Sequence, residues 1–162
     1  MDLYIIRHAW SADRSEQWPD DDLRPLTEEG RERFARMVAK LADRVLAPQV
    51  VATSPLVRCV QTAQILAAHV DGQPKIVELD ELRPGSDLER LWAWTVQQAR
   101  KHQQIAWVGH APDVDRMAAA LIGSPDGLIR FAKGAIAAIR FDDQLATGGE
   151  LQWLVTAKVL GV

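Results

Sequence analysis

Three short stretches concentrate side chains suited to a single chemical task. Arg7-His8 stands near the N-terminus, Arg58 follows Thr53-Ser54-Pro55-Leu56-Val57, and His110 lies within Val108-Gly109-His110-Ala111-Pro112. Two imidazoles and two guanidiniums suit a phosphoryl group, whose equatorial oxygens need positive donors and whose phosphorus needs a nucleophile. Imidazole attacks as the neutral form, so one ring nitrogen must be free while a backbone acceptor holds the other. Guanidinium stays charged at any working pH and grips two oxygens at once.

For these groups to meet, the chain must bring three strand ends together. Leu3–Ile6 is a short apolar run that fits a buried strand ending at Arg7-His8. Val50–Thr53 and Ile105–Val108 read as further strands, each running into one of the other two stretches, and Lys75–Glu78 reads as a shorter one. Helices are expected between them. Thr27 caps the first, whose apolar positions Phe34, Met37, Val38, Leu41 and Val45 share one face. Ser54-Pro55 opens a second that runs to about Val70, with Ser at the cap and Pro at the first helical position. Asp87–Arg100 forms a third, and Pro112 opens a fourth lasting to about Ile122. Ala135–Phe141 and Leu151–Val155, joined by a polar turn containing Gly148-Gly149, close the chain as an antiparallel pair. This alternation predicts a three-layer α/β/α sandwich with a mostly parallel mixed sheet and a C-terminal β-hairpin. In such sheets functional residues gather at the carboxyl edge of the strands. Arg58 would sit in the first turn of its helix, where side chains lean toward the N-terminus and back over that edge. The helix N-terminus adds N–H donors for an anion.

Composition narrows the remaining classes. The 162 residues, 48% hydrophobic and 25% charged, suit one domain spanning 1–162 with a core that needs no staples. Nineteen basic against twenty-two acidic residues give a net charge of −3, which makes no case for nucleic acid or an anionic membrane. No apolar run is long enough to span a bilayer, and the N-terminus lacks the pattern of a signal peptide, so a cytoplasmic protein is expected. Cys59 is the only cysteine, excluding an intrachain disulfide and a cysteine-rich zinc site.

Four blocks carry a family likeness in order: Arg7-His8-Ala9, Arg24-Pro25-Leu26-Thr27-Glu28-Glu29-Gly30, Ser54 to Ala63, and Val108-Gly109-His110. Together they resemble the histidine phosphatase (phosphoglycerate-mutase-like) superfamily. The short phosphohistidine phosphatases of the SixA type are the nearest pattern, and the likeness covers essentially the whole chain. The resemblance implies a metal-independent phosphatase with no cofactor. His8 would form a phosphohistidine intermediate, and Arg7, Arg58 and His110 would bind the transferring phosphoryl group. Arg24 would contribute to substrate binding near the pocket mouth. The expected substrate is phosphohistidine on a protein, such as a histidine-containing phosphotransfer domain. A small phosphorylated molecule is the alternative, as is a phosphate-binding or protein-binding module of the same fold without turnover. Ala9 stands where the family commonly has glycine. Larger members carry a glutamate as general acid after the second helix, where this chain has Glu78, Asp80 and Glu81. Glu81 is the candidate acid, although Leu82-Arg83-Pro84-Gly85 resembles the SixA pattern, in which that acid is not evident.

Other polar residues have plainer readings. Cys59 lacks the arginine six positions later that a cysteine phosphatase needs, since Ile65 stands there. Asp13 and Asp20-Asp21-Asp22 lack the glycine-punctuated spacing of a metal loop and read as solvated. Asp113 and Asp115 read as offsetting a helix N-terminus, with a supporting role beside His110 open. His69 and His102 are expected at exposed helix ends. Trp92, Trp107 and Trp153 are expected in the core. Trp10 and Trp18 either line the substrate mouth or pack under the long loop from Ala9 to Leu26.

Overall fold

A computed structural model describes residues 1–42, 44–127, 129–142 and 148–162. Six strands, β1 (Asp2–Arg7), β2 (Val50–Thr53), β3 (Lys75–Glu78), β4 (Gln104–Gly109), β5 (Ile136–Arg140) and β6 (Glu150–Val155), form one sheet in the order β3-β2-β4-β1-β5-β6. The first four strands in that order are mutually parallel, while β5 runs antiparallel to β1 and β6 antiparallel to β5. The expected mixed sheet with a closing strand pair is therefore present, although the turn between β5 and β6 lies partly outside the described residues.

Alternation along β1 builds both faces of the sheet. Tyr4 and Ile6 join a core with Phe34, Met37, Ala63 and Leu66. These come from α1 (Glu28–Ala42) and α2 (Val57–His69). Leu3 and Ile5 face the other way, against Leu91, Val114, Met117 and Trp107. Here the cover is α3 (Leu88–Ala99) and α4 (Asp113–Leu121). Both cores are close to fully buried, so a sheet with two apolar faces is covered by helices on each side.

Several local expectations are corrected. α2 begins at Val57, not at Pro55, and its cap residue Leu56 makes no side-chain cap bond. The Ser54 hydroxyl is turned toward His110 instead. α1 ends before Val45, which is 46% exposed and offers its carbonyl to the Tyr4 hydroxyl at 2.8 Å. A four-residue helix α5 (Ala157–Leu160), capped by Thr156, closes the chain where no helix was expected. The Thr27 contact to the Gly30 N–H is as expected, and α3 matches the expected helix within a residue at each end, with the Asp87 side chain capping it at the Arg90 N–H. Trp107 is fully buried and Trp92 packs edge-on against it, whereas Trp153 is half-buried beside Tyr4. His69 is exposed at the end of α2, and His102 is half-buried beyond α3. Among the described residues no helix is long and apolar enough to cross a membrane.

Candidate active site

The parallel strands all finish at one sheet edge, and β4 lies between β1 and β2 there. Arg7 is paired in register with Gly109, so the next residues, His8 and His110, emerge side by side. Their ring centroids are 5.3 Å apart, close to the spacing of neighbouring strands. β5 starts at the same edge, which brings the segment before it over β1. Gly134 donates its N–H to the His8 carbonyl at 3.1 Å and adopts φ +70°. A Cβ at that position would come within 2.9 Å of the Trp10 ring, so glycine is required by both backbone and packing.

His8 is 7% exposed, and its Nδ1 lies 2.7 Å from the Ala9 carbonyl oxygen. A carbonyl only accepts, so Nδ1 carries the proton and Nε2 keeps its lone pair. Burial is the main force lowering the His8 pKa to about 3; the charges of Arg58 and Arg7 and the neighbouring His110 add to it, and the Ala9 contact opposes it. The ring is neutral at physiological pH. His110 is also buried, and burial with the charge of Arg58 takes it down to about 4. Its Nε2 meets Ser54 Oγ at 2.9 Å and Cys59 Sγ at 3.4 Å. Cys59 is fully buried and burial pushes its thiol up to about 12, so it packs behind the site as a neutral group.

The two arginines are held from behind. Arg7 donates from an η nitrogen to the Phe131 carbonyl at 2.8 Å, and Phe131 is fixed in turn by its N–H to Asp115 at 3.0 Å. Arg58, 3% exposed, donates from its η nitrogens to the Asp21 carbonyl at 2.7 Å and carboxylate at 3.0 Å. The Nε groups of both arginines are buried without a partner among the described residues. A buried donor left unmatched is costly, and Arg7 and Arg58 line the same cavity as His8, where a bound anion would meet their positive charge. Burial lowers both guanidinium pKa values, yet both remain cationic at neutral pH.

These groups line a cavity of about 520 Å³ that also includes Arg24 and Asp113. An electrophilic, tetrahedral anion is what this set fits: one free imidazole lone pair, two unmatched cationic donors and a second imidazole within reach.

A family model described as the histidine phosphatase superfamily (branch 1) matches residues 3–140. The chain belongs to this superfamily. An uncharacterised protein of Picosynechococcus sp. is 34% identical over 166 residues, with 99% of each chain covered. Among solved structures, the protein histidine phosphatase SixA complexed with tungstate is 24% identical, covers 99% of both chains and superposes with a TM-score of 0.87. The α-ribazole phosphatase of Shigella flexneri is 21% identical over 97% of both chains, with a TM-score of 0.74. Membership of the superfamily supports a phosphatase, hence phosphoric hydrolase, activity.

Within this phosphatase fold, Arg7, His8, Arg58, His110 and Arg24 all reach one cavity. Arg24 donates to Asp21 at 2.9 Å, to Ser11 at 2.6 Å and to the Ala12 carbonyl at 2.7 Å, which ties the long loop down at the cavity wall. Glu81 is not brought into this group. It lines a separate cavity of about 200 Å³ with Asp80, Arg83 and Arg90. Trp10 packs on Gly134 with the Arg33 guanidinium 4.4 Å from its ring centroid, so it supports the loop.

Sequence reasoning missed Asp21. Read as part of a solvated acidic run, it opens a short 3-10 turn at Asp21–Leu23 and bonds Arg14, Arg24 and Arg58 at once. The Arg24 contact, followed by the charges of the three arginines, holds its carboxyl down at about 2. The signal available in the sequence was its position three residues before Arg24. That spacing lets a carboxylate in a tight turn meet the guanidinium.

Proposed function

We propose that this chain is a metal-independent phosphatase that removes phosphoryl groups from phosphohistidine on a protein, with His8 as nucleophile. The observation that carries the chemistry is the His8 ring, tethered at Nδ1 with Nε2 free, beside two unmatched arginine Nε donors. The Nε2 lone pair attacks phosphorus and forms an N–P bond. The P–N bond to the substrate imidazole breaks, and its electron pair returns to that nitrogen. A substrate ring protonated on its other nitrogen leaves as neutral imidazole. Water then attacks the phosphorus, the bond to Nε2 breaks, and the water proton passes to solvent with release of phosphate. Arg7 and Arg58 meet the equatorial oxygens in both steps, and His110 closes the same side.

The carboxylates support a P–N substrate over an alkyl ester. An alkoxide is a poor leaving group without a proton donor, and such help is typically worth about 10²–10⁴-fold. Among the described residues the cavity is lined by two carboxylates, Asp21 and Asp113. Asp21 is held ionised by its arginines, and Asp113 accepts the Gly85 N–H at 2.8 Å. Asp21 therefore has no proton to give, Asp113 is engaged by a backbone donor, and departing imidazole needs less help.

The test compares turnover of a phosphohistidine-bearing protein with that of an alkyl phosphate, then repeats both with Glu81→Gln and Asp113→Asn. Faster phosphohistidine turnover, with little change in either variant, is expected. Faster ester hydrolysis lost selectively in one variant would identify a general acid and make the protein a small-molecule phosphomonoesterase.

A further inference from the structure

The cavity around His8 holds more positive charge than one phosphoryl group can use. Six cations line it against two carboxylates, in a chain whose net charge is −3. Arg7 and Arg58 face the phosphoryl position, and Arg24 is consumed by Asp21, Ser11 and Ala12. Arg14 shares the same Asp21 carboxylate. Arg116 and Lys133 remain. Neither makes an ion pair within 4 Å among the described residues.

Their placement is set by elements already fixed for the site. Arg116 lies in the first turn of α4, six residues beyond His110, with its N–H on the Pro112 carbonyl. Lys133 lies in the segment that binds Arg7 through Phe131 and His8 through Gly134. Arg116 is exposed and Lys133 half-buried, so both stand at the rim, where a solvated acidic group could meet them. The cavity, about 520 Å³, falls in the range of sites for whole small ligands and exceeds the needs of a phosphoryl group.

We propose that Arg116 and Lys133 form a second anion subsite that reads an acidic group on the substrate beside the phosphoryl group. This rests on the phosphatase reading and adds a selectivity to it: the preferred phosphohistidine is flanked by aspartate or glutamate. The same chemistry would accept a carboxylate or second phosphate on a small molecule. Lysine and arginine at the rim also steer such substrates to the mouth, against the negative charge of the rest of the chain.

The subsite is tested by binding, so it does not depend on turnover. Titration calorimetry of full-length His8→Asn protein would use two phosphohistidine peptides, one flanked by Asp and Glu, the other by Asn and Gln. A parallel arm compares carboxyphenyl phosphate with phenyl phosphate. The acidic ligand in at least one arm is expected to bind about tenfold tighter, the size two partly exposed ion pairs supply together. That ratio should fall to within about twofold in Arg116→Gln/Lys133→Gln protein, and in about 0.5 M salt, where screening is strong. Discrimination only in the small-molecule arm, with no phosphohistidine turnover by the wild type, would keep the subsite and reject the phosphoprotein substrate. Equal affinity in both arms, or a preference that survives the double substitution, would overturn the subsite.

Discussion

Replacing His8 by asparagine should make the protein less sensitive to acid. In the native state burial holds the His8 and His110 imidazoles at about 3 and about 4, against 6.5 in an unfolded chain. As pH falls through 6.5, the unfolded chain takes up protons that the native rings refuse. Stability therefore rises with pH across the interval between each native value and 6.5, and the penalty is absent above it. Between pH 7 and pH 4.5 each ring should cost the native state about 2 kcal/mol, an appreciable part of the roughly 5–15 kcal/mol that holds a domain together. The amide nitrogen of the introduced asparagine would stand where Nδ1 stands and could still donate to the Ala9 carbonyl, while at that position no group titrates and His110 alone keeps its penalty. Urea unfolding of wild type and His8→Asn at about pH 7 and about pH 4.5, in buffer free of phosphate, measures the difference of differences. Carboxylates that titrate in the same range contribute equally to both proteins and cancel. The variant should lose about 2 kcal/mol less than the wild type on acidification. Equal losses, within about 0.5 kcal/mol, would mean that His8 is not held neutral by burial and would undercut its assignment as a nucleophile ready at physiological pH.

Arg58→Lys should reduce turnover by roughly two to three decades, because an ammonium cannot hold Asp21 and present an Nε donor at once; a rate within a few-fold of wild type, measured under saturating substrate, would place Arg58 outside the reacting group. Incubation with a metal chelator should leave the rate unchanged, since fixed guanidinium charge supplies the stabilisation that a divalent ion gives elsewhere. Activity lost to the chelator and restored by a divalent ion would contradict that. Mass spectrometry of protein quenched without acid should find phosphate on His8 during turnover, and phosphate trapped on another residue would reassign the nucleophile.

What the sequence disclosed, and what it hid, divides along physical lines. β1, β2 and β4 were legible because each is a short buried run ending in polar residues, and parallel strands covered on both faces must be apolar throughout. Arg7, His8 and His110 were legible as candidates for the same reason, since they stand at those ends, and Arg58 because it falls in the first turn of the helix that follows β2. The loop contacts were not. Nothing in the spacing of Asp20-Asp21-Asp22 says which carboxylate folds back onto Arg58, because that depends on a 3-10 turn and on a residue far away in sequence. Ser-Pro is a general cap signal, but α2 starts at Val57 because the Ser54 hydroxyl meets His110, a partner that follows another strand and that local spacing does not reveal. α5 has a single helical turn, too short for periodicity to register.

The ladder between β1 and β4 has a consequence for how such a site can be altered. The two imidazoles emerge beyond paired residues of adjacent central strands, so their separation is a lattice constant of the sheet, independent of any loop. A mouth loop that holds no reacting group, such as the one from Asp80 to Asp87, can be lengthened, shortened or exchanged without moving one ring relative to the other, whereas the loop carrying Asp21 also holds Arg58. The scaffold thus separates the part that breaks a bond from the parts that choose what enters, and grafting a foreign mouth loop onto this chain should retune selectivity while the spacing of the reacting pair is inherited intact.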